Sequence, residues 1–169
     1  MKDNTVLTPH FKLREFTESA TAKKHGIDNR PTPEVVENLK RLCQHTLEPL
    51  REKLGLPIII TSGYRNKELN EIIVHASRKS QHMSGQAADF WVSGFKFQVS
   101  SPESHRELLT RAFRLIITDP EVDFDQLIIY PTFIHVSYVS REHNRHQITK
   151  ANGNGTYCAL SRAQALALR

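Results

Sequence analysis

The chain has 169 residues, of which 38% are hydrophobic and 24% are charged, and it carries a formal net charge of +5. This length and composition are typical of one globular domain with a hydrophobic core, and they exclude a disordered or fibrous protein. The isoelectric point of about 9.4 favours anionic surroundings, such as nucleic acid, acidic lipid or a cell-wall polymer. Because no long run of Lys and Arg occurs, we expect a solvated basic surface and no specific nucleic-acid partner.

The beginning of the chain lacks the features of an export signal. Residues 1–16 contain no continuous apolar segment, so we expect no signal peptide and a product that is cytoplasmic as made. No apolar run of about 18 residues occurs elsewhere, and therefore no membrane span is expected. Residues 1–31 combine a few apolar anchors with turn-forming residues, which predicts an N-terminal arm that packs on the domain.

The first strong helical pattern follows this arm. Thr32 is a suitable N-cap, and Pro33 then occupies the first helical position. Apolar side chains recur at steps of three and four residues as far as Leu54, which predicts an amphipathic helix. Pro49 lies inside the pattern and should kink or split the helix. Cys43 falls on the apolar face, so we expect a buried free thiol there.

Strands dominate the rest of the chain. The predicted strands, the first of them expected to be buried, cover residues 57–61, 87–92, 123–130 and 133–138. Predicted helices cover residues 66–73 and 104–117. The polar segment after Ser140 predicts a long loop or hairpin, followed by a last apolar helix or strand. This order of elements favours a single α+β domain in which helices cover a mainly antiparallel sheet.

Three residues in this pattern suit a metal site. Strand alternation places Asp89 and His135 away from the apolar side of their strands, and pairing of the two strands would bring them together. His82 precedes Asp89 by seven residues, in a loop that Gly85 allows to turn sharply. Two imidazoles, one carboxylate and an open fourth position form the usual ligand set of a catalytic zinc, which suits amide hydrolysis. On the residues alone, the alternatives are that Asp89 caps a strand or forms an ion pair with Arg65.

Four short motifs occur in order along the chain. They are Thr61-Ser62-Gly63-Tyr64-Arg65 with Asn70, Ser80-x-His82-x-x-Gly85-x-Ala87-x-Asp89, Phe124-Asp125-Gln126-Leu127-Ile128 and Ile134-His135-Val136-Ser137. Together they resemble the zinc D-Ala-D-Ala carboxypeptidase family, which includes D-Ala-D-Ala dipeptidases and phage L-Ala-D-Glu endolysins. The resemblance implies a hedgehog/D-Ala-D-Ala peptidase-like fold. In it, residues 32–140 form the peptidase-like core, with residues 141–169 as the C-terminal loop and tail of the same domain.

The resemblance also implies the roles of individual residues. The implied ligands of one Zn²⁺ per chain are His82, Asp89 and His135. Arg65 would bind and polarise the substrate, because a guanidinium makes forked contacts with carboxylate and carbonyl groups; a structural salt bridge is the alternative. Ser80 and Gln126 would assist in substrate binding. The implied substrate is a peptidoglycan stem peptide, cut at D-Ala-D-Ala or at L-Ala-D-Glu by a monomer.

Two departures from the family pattern affect these expectations. Many relatives carry a Gly-Gly pair where this chain has His75-Ala76. Characterised members place a Glu or Asp before the final His, commonly three residues before it, where this chain has Thr132. In such an enzyme this acid accepts a proton from the zinc-bound water, and a general base of this kind raises the rate of hydrolysis by about 10²–10⁴-fold. We expect Asp125 to be this proton acceptor, in preference to Asp123, Glu142 or a group from the substrate or a partner.

Two classes of function therefore fit the sequence. The first is a zinc-dependent peptidase of the peptidoglycan stem peptide, either a carboxypeptidase or a phage-type endolysin that reaches the cell wall through a holin-made pore. The alternative is a non-catalytic, zinc-containing binding module of the same fold in a phage or cell-wall complex. The missing acid before the last His supports the alternative, and the intact ligand set supports the enzyme.

Overall fold

Within residues 5–74, 76–94 and 105–168, which the computed structural model describes, six strands form the main sheet. The strands of the chain are β1 (Val6–Thr8), β2 (Phe11–Lys12), β3 (Ile58–Ser62), β4 (Ala87–Val92), β5 (Gln126–Ile129), β6 (Ile134–Ser137), β7 (Gln147–Ala151) and β8 (Tyr157–Ala159). β1 and β2 pair as a separate ribbon, and the main sheet has the order β3-β4-β6-β5-β7-β8. Its strands pair antiparallel except β5 and β7, which run parallel.

Helices lie before, between and after these strands. They are α1 (Leu13–Thr17), α2 (Ala20–His25), α3 (Pro33–Leu42), α4 (Glu48–Leu54), α5 (Lys67–Ile72), α6 (His105–Thr118) and α7 (Arg162–Leu166). The predicted cap is confirmed, since the Thr32 hydroxyl accepts a hydrogen bond from the Val35 N–H at 3.3 Å. Position 104, where a helix was expected to begin, and His75 lie outside the described residues. Among the described helices, none is long and apolar enough to cross a membrane.

The predicted interruption at Pro49 is confirmed by a π-helical turn, Cys43–Leu47, between α3 and α4. Pro49 has no N–H and cannot donate to the His45 carbonyl one turn earlier. That carbonyl instead accepts a hydrogen bond from the Asp123 N–H at 2.9 Å, which ties this helix to the segment leading into β5. Cys43 is fully buried and free, as predicted, and burial raises the pKa of its thiol.

One face of the main sheet is apolar and packs against the helices. Ala88, Val136 and Leu127 pair in one row across β4, β6 and β5, and all three are fully buried. α6 packs against β4 and against α4 on this side. The next row places Asp89 and His135 on the opposite face, because side chains alternate along a strand. The predicted α+β domain with a mainly antiparallel sheet is confirmed, and its polar face is open for a site.

β3 differs from the expectation of a buried strand. It lies at the edge of the sheet and pairs with β4 alone among the described strands. Ile58 is 5% exposed, whereas Ile59 is 40% exposed. A short apolar run is consistent with a central or an edge strand, and tertiary packing decides between them.

The two ends of the chain add small elements to this domain. In the N-terminal arm, Phe11 and Phe16 are buried, and their rings meet edge-on with centroids 6.1 Å apart. After Ser140 the chain forms the antiparallel hairpin β7–β8 and then α7, which resolves the two alternatives left by the sequence. The division of the chain at residues 31 and 140 stays a prediction.

Candidate metal centre

Three side chains converge on the polar face of the main sheet. Asp89 and His135 are paired residues of β4 and β6, and their Oδ1 and Nδ1 atoms lie 2.8 Å apart. His82 comes from a short 3₁₀ turn, Gln81–Ser84, that precedes β4. Its Nε2 atom lies 3.3 Å from Asp89 Oδ1 and 3.2 Å from His135 Nδ1. The structure therefore brings together the three residues that the sequence suggested as metal ligands.

The geometry of these atoms fits a tetrahedral zinc ion. Ligand atoms at about 2.0–2.1 Å from such an ion lie about 3.3 Å from one another. The two spacings from His82, 3.3 and 3.2 Å, match this value, and the Asp89–His135 spacing of 2.8 Å is shorter, as in a direct hydrogen bond. His82 is 2% exposed, and its Nδ1–H donates to the Gly63 carbonyl oxygen at 2.7 Å. Its Nε2 lone pair therefore faces Asp89 and His135. Metal-binding histidines commonly have their second nitrogen held in this way by a backbone carbonyl.

The electrostatics keep the site in the protonation state that binds metal. Burial lowers the pKa of His82, although the Asp89 carboxylate opposes this effect. Burial alone would raise the pKa of Asp89, yet the neighbouring His82 and the hydrogen bond to His135 outweigh it, and the pKa falls. A neutral imidazole beside an ionised carboxylate is therefore favoured at neutral pH. Metal ions compete with protons for such ligands, so these shifts favour metal binding.

Backbone contacts position the turn that carries His82. Gly85 ends this turn with a φ of +68°, and a Cβ atom there would lie 2.6 Å from the Val35 carbonyl oxygen of α3. Both facts require glycine at this position. On the other side, Asn70 is buried and its side-chain N–H donates to the Ser77 carbonyl oxygen at 2.9 Å. The segment that leads into His82 is thus held from both flanks.

Arg65 lies beside the three converging residues and lines the same cleft. Its Nη1 and Nη2 atoms donate to the hydroxyls of Ser62 at 3.1 Å and Ser80 at 3.3 Å, rather than to Asp89. Its buried Nε has no hydrogen-bond partner among the described residues. Burial lowers the pKa of Arg65, although Asp89 and Tyr130 oppose the shift. The guanidinium is therefore positioned by serines, which leaves the second N–H of Nη1 and of Nη2 for a ligand.

Asn29, in the N-terminal arm, positions Arg65. This role was not predicted from the sequence. Its side-chain N–H groups donate to the carbonyl oxygens of Tyr64 at 3.0 Å and Thr17 at 3.1 Å. Its Oδ1 accepts from the Asn66 N–H at 2.8 Å, and the residue is 9% exposed. These bonds hold the backbone on both sides of Arg65. An Asn in a turn-rich arm has no periodic pattern that distinguishes this role from an ordinary turn.

Asp125, expected to be the proton acceptor, lies in the same cleft but is held by Arg145. Its carboxylate accepts from the Arg145 N–H at 2.9 Å, Nε at 2.9 Å and Nη2 at 2.6 Å. It also accepts from Gln81 Nε2 at 2.8 Å. Burial alone would raise the pKa of Asp125, but the bonds from Arg145 and Gln81 outweigh it and lower the pKa to about 2. At neutral pH this carboxylate is ionised, occupied and a weak base.

The other acids considered from the sequence lie elsewhere. Asp123 accepts a hydrogen bond from His146 Nε2 at 2.9 Å, and Glu142 is exposed. Neither lines the cleft, and Thr132 is exposed and offers its carbonyl oxygen to His105 Nε2 at 2.8 Å. Within the described part of the chain, Asp89 and Asp125 are therefore the carboxylates that line the cleft.

The cleft around these residues has a volume of about 950 Å³. Its lining includes Ser80 and Gln126, both predicted to bind substrate. One side is formed by an aromatic patch, defined here as Tyr130, Phe133 and Tyr157. Tyr130 stacks on Phe133 with ring centroids 4.1 Å apart, and its hydroxyl lies 3.1 Å from that of Tyr157. Burial raises the pKa of Tyr130, and the bond to Tyr157 raises it further. Tyr130 is therefore a protonated hydrogen-bond donor beside the site.

Comparison with known families agrees with this geometry. The family model described as Peptidase M15 matches residues 9–108, well over half of the chain. The match includes Arg65, His82 and Asp89, and it ends before His135. A comparison with curated proteins gave no match. The observed α+β domain is consistent with the hedgehog-like peptidase fold of this family. The chain belongs to the Peptidase M15 family, the metallopeptidases of the zinc D-Ala-D-Ala carboxypeptidase type.

Proposed function

We propose that the protein is a zinc-dependent peptidase that hydrolyses an amide bond in the stem peptide of peptidoglycan, as a D-Ala-D-Ala carboxypeptidase or a phage-type endolysin. The observation that carries this proposal is the convergence of His82, Asp89 and His135 in a cleft lined by Arg65. Membership of a metallopeptidase family supports it. In this proposal the protein is a monomer, and it reaches the cell wall through a holin-made pore.

The residues of the cleft have different roles in the proposed amide hydrolysis. A zinc ion held by His82, Asp89 and His135 would act as a Lewis acid toward the scissile carbonyl and lower the pKa of a water molecule. Arg65 has a second N–H on each terminal nitrogen beside these ligands, so it is suited to binding a substrate oxygen and stabilising the negative charge that develops there. Tyr130 offers a neutral hydroxyl from the lining of the same cleft.

The size and charge of the protein suit such a substrate. A cleft of about 950 Å³ accommodates a short peptide. The net charge of +5 favours approach to an anionic cell wall, because long-range attraction raises the rate of encounter.

The experiment that tests this proposal is incubation of purified peptidoglycan with the protein, with and without a chelator. We expect chelator-sensitive release of peptide fragments, whose mass spectra identify the bond that is cut. His82→Ala should abolish both zinc binding and release. His25→Ala, at an exposed position in α2, is the matched control and should leave both intact. Cleavage that persists in the chelator, or in His82→Ala, would refute a zinc peptidase.

A non-catalytic binding module is the second candidate, and one observation favours it. Of the two carboxylates that line the described cleft, Asp89 is a candidate ligand and Asp125 is paired with Arg145. No free carboxylate is thus in place to accept a proton in the described part of the cleft. A binding module would sediment with peptidoglycan in a zinc-dependent manner and release no fragment from any preparation. An enzyme would release fragments under the same conditions.

A further inference from the structure

Arg145 and Asp125 form an ion pair in which the two partners have very different exposure. The Asp125 side chain is 1% exposed, whereas that of Arg145 is 55% exposed and borders the cleft. Asp125 receives the backbone N–H, Nε and Nη2 of Arg145, so both the backbone and the side chain are fixed. A buried carboxylate thus holds an open guanidinium at the cleft surface.

The remaining donors of Arg145 are free to bind a ligand. A guanidinium has five N–H groups in a fixed fork. The Nε and Nη2 groups contact Asp125, and Nη2 also lies 3.3 Å from Gln81 Oε1. Nη1 has no hydrogen-bond partner among the described residues. Because the side chain is already fixed, a ligand that binds this edge loses little affinity to side-chain ordering.

The surroundings of Arg145 favour a carboxylate as that ligand. The Nη1 group offers two N–H donors on a cationic side chain, and a carboxylate accepts strong, charge-assisted hydrogen bonds from such donors. Lys79 and Arg65 also line the cleft, and these two cations outnumber the Asp89 carboxylate once Asp125 and Arg145 are counted as a neutral pair. The net field over this part of the cleft is therefore positive, and an anionic group is attracted to it.

We propose that Arg145 is a carboxylate receptor of the cleft, which binds a free carboxylate of an acidic peptide away from the scissile amide. Asp125, together with Gln81, is a positioning residue that holds the guanidinium in place. The inference rests on the proposed function for its substrate, a stem peptide, which carries such carboxylates. It also gives Asp125 a role other than proton transfer.

The test compares three synthetic stem pentapeptides. The parent has free carboxylates on its second residue and at its C-terminus, and each of the others carries a carboxamide at one of these positions. KM and kcat are measured where a peptide is cleaved, and the dissociation constant is measured by calorimetry where it is not. We expect the zinc-loaded protein to bind one of the carboxamide peptides about 10- to 100-fold more weakly than the parent.

Substitution of Arg145 should remove this discrimination. Arg145→Met should bind all three peptides alike. Relative to the wild type, it should raise KM for the parent peptide and change kcat little. Arg145→Lys keeps the charge but not the fork, and should retain only part of the discrimination. Arg141→Met is the matched control, because Arg141 is exposed and does not line the cleft. It should discriminate as the wild type does.

Folding is controlled separately, because Arg145→Met leaves the buried Asp125 unpaired. The double variant Asp125→Asn/Arg145→Met removes both charges and should also bind the three peptides alike. Circular dichroism and thermal unfolding verify that each variant is folded.

The possible outcomes separate this inference from the proposed function. Equal binding of the three peptides by the wild type, or no binding of any, would overturn it. So would discrimination that survives in Arg145→Met, because another cation would then hold the carboxylate. Absence of chelator-sensitive cleavage refutes the peptidase alone, and the calorimetric comparison still decides whether Arg145 is a carboxylate receptor.

Discussion

The Asp89 carboxylate and the His135 imidazole face each other across two adjacent antiparallel strands, with Oδ1 and Nδ1 2.8 Å apart. Their pairing depends on strand register, since a shift of one residue would move either side chain to the apolar face of the sheet. His82 completes the cluster from a turn outside the sheet. The site thus depends on two rigid strands and on one turn whose position is set by packing.

Asp89→Asn should weaken zinc binding by more than about 100-fold, because an amide is a poorer ligand than a carboxylate and removes the negative charge. Competition with a chromophoric chelator measures this affinity. Asp28→Asn is the matched control, since Asp28 is exposed and pairs with Arg30. Equal zinc affinity of Asp89→Asn and the wild type would exclude Asp89 as a ligand.

Gly85→Ala should destabilise the fold more than Gly26→Ala, although both glycines have a φ of +68°. The shared left-handed backbone should cost each variant about 1 kcal/mol. At Gly85 the added Cβ also meets the Val35 carbonyl oxygen at 2.6 Å, whereas nothing lies within 4 Å at Gly26. We expect this contact to add about 1–3 kcal/mol to the loss of unfolding free energy.

Denaturant unfolding of the two variants measures this difference directly. A zinc titration then shows whether displacement of the turn also affects His82. Equal stabilities would mean that α3 moves to accommodate the methyl group at no cost.

Asn29→Ala should lower the free energy of unfolding by about 2 kcal/mol, because it removes bonds to three backbone groups, some of them buried. If Asn29 positions Arg65, kcat should fall while the zinc affinity stays constant. Asn154→Ala is the matched control, since Asn154 is exposed and its side-chain oxygen accepts local hydrogen bonds from Thr156. A fall in stability without any change in kcat would limit Asn29 to a structural role.

The ion pair of Asp125 with Arg145 should make stability depend on pH in the acid range. The pKa of Asp125 is lowered from 3.8 to about 2, so its contribution is complete above about pH 4 and is lost as the pH falls through about 2. Asp125→Asn lacks this contribution at every pH. Its stability deficit relative to the wild type, up to about 2 kcal/mol near neutrality, should therefore shrink between about pH 4 and about pH 2.

Chemical unfolding at a series of pH values measures this deficit for the metal-free proteins. Asp28→Asn serves as the reference, because exposed ion pairs contribute little. A deficit that stays constant across the acid range would show that Asp125 is not held as an ion pair.

Local patterns in the sequence were sufficient for most elements and for the candidate ligands. The cap at Thr32 depends on neighbouring residues, and so does the break at Pro49. The alternation in β4 and β6 predicted that Asp89 and His135 share a face, which their register confirms. Each of these features follows from the steric and hydrogen-bonding preferences of a few consecutive residues, so one chain is enough to infer them.

Tertiary packing alone decided which polar residues surround the ligands. Asn29 lies 35 residues from Tyr64, whose carbonyl oxygen it binds. Arg145 lies 20 residues from Asp125, which it converts from an expected base into an occupied carboxylate. The edge position of β3 was likewise decided by the assembled sheet. A side chain's pKa and its free donors depend on distant groups that folding brings within about 3 Å, and no local pattern records which groups these are.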